Sequence, residues 1–417
     1  MKTLRPIQVE KSKEALEILS NLDLLYIAGQ VRSGKTATAL EICHLYGSDL
    51  VIFLTKKKAI DSIIDDWKEF GYDNSFELIV INDESMHKLD ADLVNRAGII
   101  VHDESHRFGA FPKPGKHTKT YRSMFYTKPQ IYLSGTTSPE SWSQMYHQFW
   151  VSFASPWKNY KNFYAWAKDG YVNITQKHLG THQINDYSGG IENKIMSDVA
   201  PYMVRMTQAE AGFKSKVEEE ILEVEMKPVT YSLCKRLLDD LVVEGKEEVI
   251  LADTPAKLQQ KLHQLFSGTI KFESGERSVI DYSKVDFIID RFGDRKIALF
   301  YKFVAEYQAL KHRLGDRLTN DISEFNANPD KWIALQVVSG REGVNLSAAD
   351  YLVMYNIDFS ATSYFQARDR MTVQDRKENK VYWIFAKKGI EHNIYKAVSK
   401  KKKYTVNIFK KDYGIRK

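Results

Sequence analysis

The sequence predicts an α/β fold of two lobes, each built on a parallel sheet flanked by helices. Three observations lead there: short apolar runs that alternate with helical stretches through the first 140 residues, a second set of runs after residue 295, and a length of 417 residues. That length exceeds what one ordinary core serves and suits two domains of about 150 to 200 residues each.

The first set of runs is Leu24 to Ala28, Leu50 to Leu54, Leu78 to Ile81, Gly98 to Val101 and Gln130 to Leu133. Each is short, apolar and followed by polar or small residues, the pattern of a strand buried on both faces. Strands joined through helices pair in parallel. Sheets of this kind bind ligands at the carboxyl ends of their strands, and here the residues after the runs are the chemically active ones. The second set is Lys296 to Tyr301, Trp332 to Val338, Tyr351 to Tyr355 and Val381 to Phe385. A first domain over residues 1–222 and a second over 223–417 follow, with the charged, alternating stretch Lys216 to Glu225 leading into the second.

Between the two sets the composition changes. Trp142 to Tyr171 holds eleven aromatic residues, including four of the seven tryptophans. Trp142, Tyr146, Phe149, Trp150 and Phe153 follow helical spacing, which predicts an aromatic-rich helical segment over about residues 141–200. Helix packing accounts for such a stripe more readily than base stacking does. The Gly-, Asn- and Ser-containing stretch Thr181 to Gly190 reads as a loop.

Several classes are excluded. Cys43 and Cys234 stand far apart and form neither a disulfide framework nor a zinc cluster, which fits a reducing cytoplasm. The N-terminus has no apolar signal region, and no stretch approaches the roughly 18 apolar residues of a membrane helix. A soluble, cytoplasmic protein is expected. The net charge of +6 is unevenly placed: from Val381 to the C-terminus eleven Lys or Arg face two acids, with Lys400 to Lys403 in a row. A solvated tail and a phosphate-binding tail both fit that patch.

The most specific motif is Gly29-Gln-Val-Arg-Ser-Gly34-Lys35-Thr36, a full match to GxxxxGKS/T between a predicted strand and a helix beginning near Lys35. Backbone N–H groups of such a loop wrap phosphates at the positive end of a helix. Lys35 would neutralise the β and γ phosphates of ATP, and the Thr36 hydroxyl would hold Mg²⁺. The second element is Ile99-Ile-Val-His-Asp103-Glu104-Ser-His106, where acids directly follow an apolar run. Asp103 would bind Mg²⁺ and Glu104 would polarise the attacking water.

At these residues the chain resembles the superfamily 2 helicases and translocases, and within them the Swi/Snf-like branch with its small phage-type members. Asp103-Glu104-Ser105-His106 is similar to their DExH box, and the resemblance gives His106 a part in catalysis. Leu4-Arg5-Pro6-Ile7-Gln8 resembles the segment whose glutamine contacts adenine, here Gln8. Leu54-Thr55-Lys56 resembles motif Ia, which holds the phosphates of the tracked strand, and Ser134-Gly135-Thr136 resembles motif III, which couples hydrolysis to movement.

In the second lobe, Ala298 to Phe303 resembles motif IV and implies a nucleic-acid contact for Lys302. Ser339-Gly-Arg-Glu-Gly343-Val-Asn345-Leu is similar to motif V, which implies nucleic-acid contact at Ser339 and nucleotide contact at Gly343 and Asn345. Gln366-Ala-Arg368-Asp-Arg370 resembles motif VI, which faces ATP, with Gln366 and Arg370 catalytic and Arg370 the arginine finger. One departure stands out: the family's second arginine falls on Val373, and Arg368 and Arg376 are the residues that could replace its charge.

The resemblance therefore implies two tandem RecA-like domains and an ATP-dependent DNA helicase or translocase that unwinds DNA or remodels forks and branched junctions. It would bind single-stranded, duplex or branched DNA without sequence preference, use ATP and Mg²⁺, and work as a monomer with no membrane partner. An RNA helicase and a slow P-loop switch that binds a protein partner are the alternatives.

Overall fold

A computed structural model describes residues 2–30, 32–179, 182–212, 216–245, 248–337, 346–368, 378–400 and 404–415. The chain forms two compact units, Met1–Phe213 and Lys214–Lys417.

The first unit is built on Leu24–Gly29 (β1), Leu50–Thr55 (β2), Glu77–Asn82 (β3), Ile99–Asp103 (β4) and Gln130–Ser134 (β5). They lie in the order β3-β2-β4-β5-β1, all parallel, and the short strand Met203–Met206 extends the sheet beyond β1. That strand was absent from the sequence reading, because four residues are too few to show a period. Alternation along β1 sends Leu24 and Tyr26 into one buried cluster and Leu25 and Ile27 into another. Both faces of the sheet are thus covered, which is why its strands read as continuous apolar runs.

The aromatic-rich segment supplies one of those covers. Of the expected stripe, Tyr146 and Phe149 are buried in one cluster with Trp157, Phe163, Trp166, Tyr26 and Tyr132, and Trp142 and Trp150 are partly buried against it. The second cover includes the helices Pro6–Leu22 (α1) and Lys35–Tyr46 (α2), which bury Ala15, Leu19, Leu40 and Ile42 on the opposite face. The stretch expected to be a loop after residue 181 is instead half of an antiparallel pair, Thr175–Leu179 with His182–Asp186. Its residues are too polar to carry an apolar alternation, and cross-strand backbone hydrogen bonds define it instead.

The second unit holds another six-stranded parallel sheet, ordered Leu318–Thr319, Trp332–Gln336, Ile297–Tyr301, Tyr351–Met354, Glu378–Ala386 and Lys216–Val224. Each unit is thus an α/β domain on a six-stranded parallel sheet, as expected. The expected boundary at 222/223 is corrected by Lys216–Val224, which pairs with Glu378–Ala386 along nine residues of the second sheet. Its Glu218, Glu219, Glu220 and Glu223 are what an edge strand carries to resist pairing with other chains, and they made it look like a linker.

The basic C-terminal segment is not a frayed tail over its described part. Helix Val406–Asp412 buries Phe409 in the second core, and the Tyr404 N–H donates to the Phe359 carbonyl at 3.0 Å. Lys401, Lys402 and Lys403 lie outside the described residues.

Candidate nucleotide site

The loop between β1 and α2 is held by contacts that its glycines permit. Gly34 caps α2 at φ 98°, a backbone conformation that side chains disfavour, and a methyl there would collide with the Gln8 amide and the Arg5 guanidinium. At Gly29 an added methyl would collide with the Lys35 side chain and the Ser33 hydroxyl. The Lys35 ammonium donates to the carbonyls of Gly29 at 2.8 Å and Gln30 at 3.0 Å, so it is already folded over the loop.

Gln8 is tied to this loop. Its side-chain oxygen accepts the Arg5 N–H at 2.8 Å and its amide donates to the Gly34 carbonyl at 3.2 Å. Arg5 in turn donates to the carbonyls of Ser33 at 2.9 Å and Ala211 at 3.1 Å. These residues border a cavity of about 420 Å³ that Lys35, Thr36, Arg32 and Phe70 also line. Arg32 and Phe70 were not foreseen: Arg32 occupies a variable place of the loop motif, and Phe70 lies in no motif at all. Substituting Gln8 by Ala removes the amide that closes this cavity, and a tenfold or greater rise in the ATP concentration for half-maximal turnover is expected, about 1.4 kcal/mol or more. Turnover at saturating ATP should change far less.

The acids stand at the end of β4. Thr55 donates its hydroxyl to Asp103 at 3.0 Å, and the Glu104 N–H donates to the other Asp103 oxygen at 3.0 Å. Burial, reinforced by the charge of Glu104, pushes the Asp103 carboxyl up to about 6, against the opposing pull of Lys35 and Thr55. Glu104 takes the left-handed backbone conformation at φ 55°, and its carboxylate lies 3.1 Å from His106 Nδ1. Against the pull of burial, His106 and Lys35 hold Glu104 down to about 2. His106 Nδ1 also lies 3.1 Å from the Ser134 hydroxyl, which donates to the Thr136 carbonyl at 3.0 Å. The turn from Asp103 to His106 and the Ser134-Gly135-Thr136 segment therefore meet at one imidazole.

One buried carboxylate braces this turn. Asp83, which follows β3, accepts from Arg107 and His117 and lies 3.3 Å from His102 Nε2. Against burial, the two histidines hold its carboxyl well below the usual carboxylate range. Asp83, His102 and His117 are close enough to share a metal ion. Arg107 already occupies the second Asp83 oxygen, however, and His102 Nδ1 is buried without the partner that a metal-bound imidazole needs. A hydrogen-bonded bridge explains the cluster.

Some assigned residues do other work. Thr55, expected to meet the phosphates of a strand, is 1 % exposed and engaged with Asp103, which leaves it no surface for a polymer. Lys302 pairs with Asp358, and its ammonium lies 4.3 Å from the Phe359 ring centroid. Lys56 is half-buried directly after β2. In the second domain Gln366 falls on the helix Ala361–Arg368. Arg368 lies 3.5 Å from Glu219, which also accepts from Tyr364 and Trp383, so the fold holds Arg368 against its own sheet. Ser339, Gly343, Asn345, Arg370, Val373 and Arg376 lie outside the described residues.

No family model matches the chain. Among curated proteins, the chromatin-remodeling ATPase INO80 of Emericella nidulans is 27 % identical over 220 residues, covering 51 % of this chain and 14 % of that protein. The helicase ssl-1 of Caenorhabditis elegans is 29 % identical over 107 residues, or 23 % of this chain and 4 % of that protein. The chain thus spans a small fraction of these relatives. A solved structure, the Sulfolobus solfataricus SWI2/SNF2 ATPase core in complex with dsDNA, aligns with 98 % of this chain and 92 % of that one at a TM-score of 0.42 and 16 % identity. In the order of its motifs and in the relatives that its sequence finds, this chain is similar to the superfamily 2 helicases and translocases of the Swi/Snf-like branch.

Proposed function

We propose that the chain hydrolyses ATP and couples the turnover to movement along DNA or remodelling of it. The observation that carries this reading is the site on the first domain, where a cavity closed by Gln8 and lined by Lys35 and Thr36 adjoins a loop whose lysine charge reaches Asp103 and Glu104. In this reading Gln8 meets the adenine, and Lys35 exchanges two neutral carbonyls for charged phosphate oxygens, a stronger pairing. Thr36 and Asp103 fit Mg²⁺, a hydroxyl and a carboxylate being the hard oxygen donors that the ion takes beside phosphate. Mg²⁺ bound there supplies positive charge against the β and γ phosphate oxygens.

Glu104, kept ionised beside His106, takes a proton from the attacking water. Gln366, the arginine finger Arg370, Gly343 and Asn345 are the residues of the second domain that the family resemblance assigns to ATP. Loss of the γ phosphate is felt by His106 and passes to Ser134 and Thr136, a route to the surface that holds nucleic acid. Lys56, Ser339 and Lys302, the last by exchanging Asp358 for a phosphate, are the phosphate contacts we assign, so binding is independent of sequence and weakens with salt. The working unit is a monomer, and forks and branched junctions are the substrates we assign. Among the described residues no helix is long and apolar enough to cross a membrane.

The test is ATP turnover in one buffer with no nucleic acid, single-stranded DNA, duplex DNA, a four-way junction and RNA. DNA should raise turnover several-fold. Absence of stimulation by every polymer overturns the reading, and a larger response to RNA replaces its DNA half.

A further inference from the structure

A second centre of positive charge lies far along the chain from the C-terminus. From Ser105 to Lys168 nine Lys or Arg face a single acid, Glu140. Helix Lys116–Phe125 contributes Lys116, Lys119 and Arg122 to this excess and carries no acid. Arg122 is half-buried, with its guanidinium carbon 4.0 Å from the Tyr126 ring centroid and 4.2 Å from that of Trp150, and it donates to the Trp150 carbonyl. Among the described residues no carboxylate pairs with it.

This guanidinium borders a cavity of about 270 Å³ that Tyr126, Trp150, Lys158, Tyr160 and Lys161 also line, and no lining residue is acidic. Asp169 and Asp198 touch the lining side chains Tyr160 and Trp157, but they are engaged by the phenol and the indole N–H and lie outside the cavity. Arg122, Lys158 and Lys161 line one cavity with no acid in its wall, so an anion there would meet positive charge from three side chains. A guanidinium clamped between two rings is already ordered, and its fork matches phosphate oxygens. The cavity is larger than one phosphate requires, and half-exposed Trp150 and Tyr160 offer aromatic surface for the rest of a nucleotide unit.

We propose that this cavity is a nucleic-acid contact on the first domain, binding a backbone phosphate of a strand. It rests on the reading of the chain as a DNA-dependent ATPase. The site lies away from the hydrolysis chemistry. Tyr126 stands just before the amino end of β5 and accepts the Phe153 N–H at 3.1 Å, whereas the phosphate loop and acids follow the carboxyl ends of β1 and β4. A strand's length, about 16 Å, separates the two ends.

The test uses the full chain with Lys158→Glu and Lys161→Glu together, both exposed and outside the core. A charge-matched control carries Lys235→Glu and Arg236→Glu on the exposed side of helix Pro228–Asp240. Affinity for a labelled duplex is measured over a salt series, with ATP turnover in the absence of DNA alongside. About a tenfold loss of affinity at low salt and a log–log salt slope shallower by about 1 are expected for the first pair only, with basal turnover unchanged. Arg122→Gln should reproduce the loss.

Affinity and slope indistinguishable from the control pair overturn the inference. So does binding of AMP or inorganic phosphate that the Lys158/Lys161 pair abolishes while duplex affinity stays intact, since the cavity then serves a free anion. If the unaltered chain binds no duplex and no polymer stimulates it, the proposed function itself has failed. If the unaltered chain binds duplex and is stimulated, and the Lys158/Lys161 variant binds as the control pair does, this contact alone is wrong.

Discussion

Replacing Glu104 by Gln should abolish ATP turnover while leaving ATP bound. The substitution preserves volume and a hydrogen-bonding oxygen at a residue already held at φ 55°, so the fold has no reason to change. What it removes is the basic oxygen that His106 and Lys35 keep ionised. Loss of a positioned general base costs about 10² to 10⁴ in rate. ATP contacts assigned to Lys35, Thr36 and Gln8 are untouched, so nucleotide affinity measured by equilibrium dialysis should match that of the unaltered chain. Ordinary turnover by the Gln variant would refute the role of Glu104.

The second large effect concerns stability. Lys284 in helix Ser283–Phe292 and Glu391 at the start of helix Glu391–Val398 form an ion pair at 2.6 Å, both side chains 0 % exposed. Glu391 also accepts the Ala386 N–H at 3.5 Å, yet its second oxygen is buried without a partner. Lys284→Met leaves that carboxylate in the core with no counter-charge, and breaking a buried pair from one side costs about 3 to 5 kcal/mol. Two charges taken from water together gain little over apolar residues of similar size, so Lys284→Met with Glu391→Leu should restore most of the loss. Denaturant unfolding of the three variants checks this. Equal destabilisation by the single and double variants would mean that packing, not the uncompensated charge, governs the site.

The extent to which the site could be read in advance depended on where its residues lie along the chain. Gly29, Gly34, Lys35 and Thr36 are contiguous, and local backbone geometry requires them at that spacing, so the sequence displays them. Asp103 and Glu104 announce themselves by following an apolar run. Arg5, Arg32 and Phe70 do not, because a cavity wall gathers side chains from separate elements. Asp83 is a sharper case: it looks like any turn acid, and its partners His102, Arg107 and His117 lie 19 to 34 positions away.

The sequence by itself determined the two parallel sheets, their central strands and the glycine-bounded turn before the helix at Lys35, because burial on both faces and backbone geometry each impose a local pattern. Tertiary structure alone decided that Lys216–Val224 belongs to the second sheet, that Thr55 serves Asp103, that Arg368 is held by Glu219, and that Arg122 is clamped between two rings. The physical reason is the same in each case. Edge pairing, hydrogen-bond choice and charge compensation depend on which distant groups meet, and no periodicity along the chain records that.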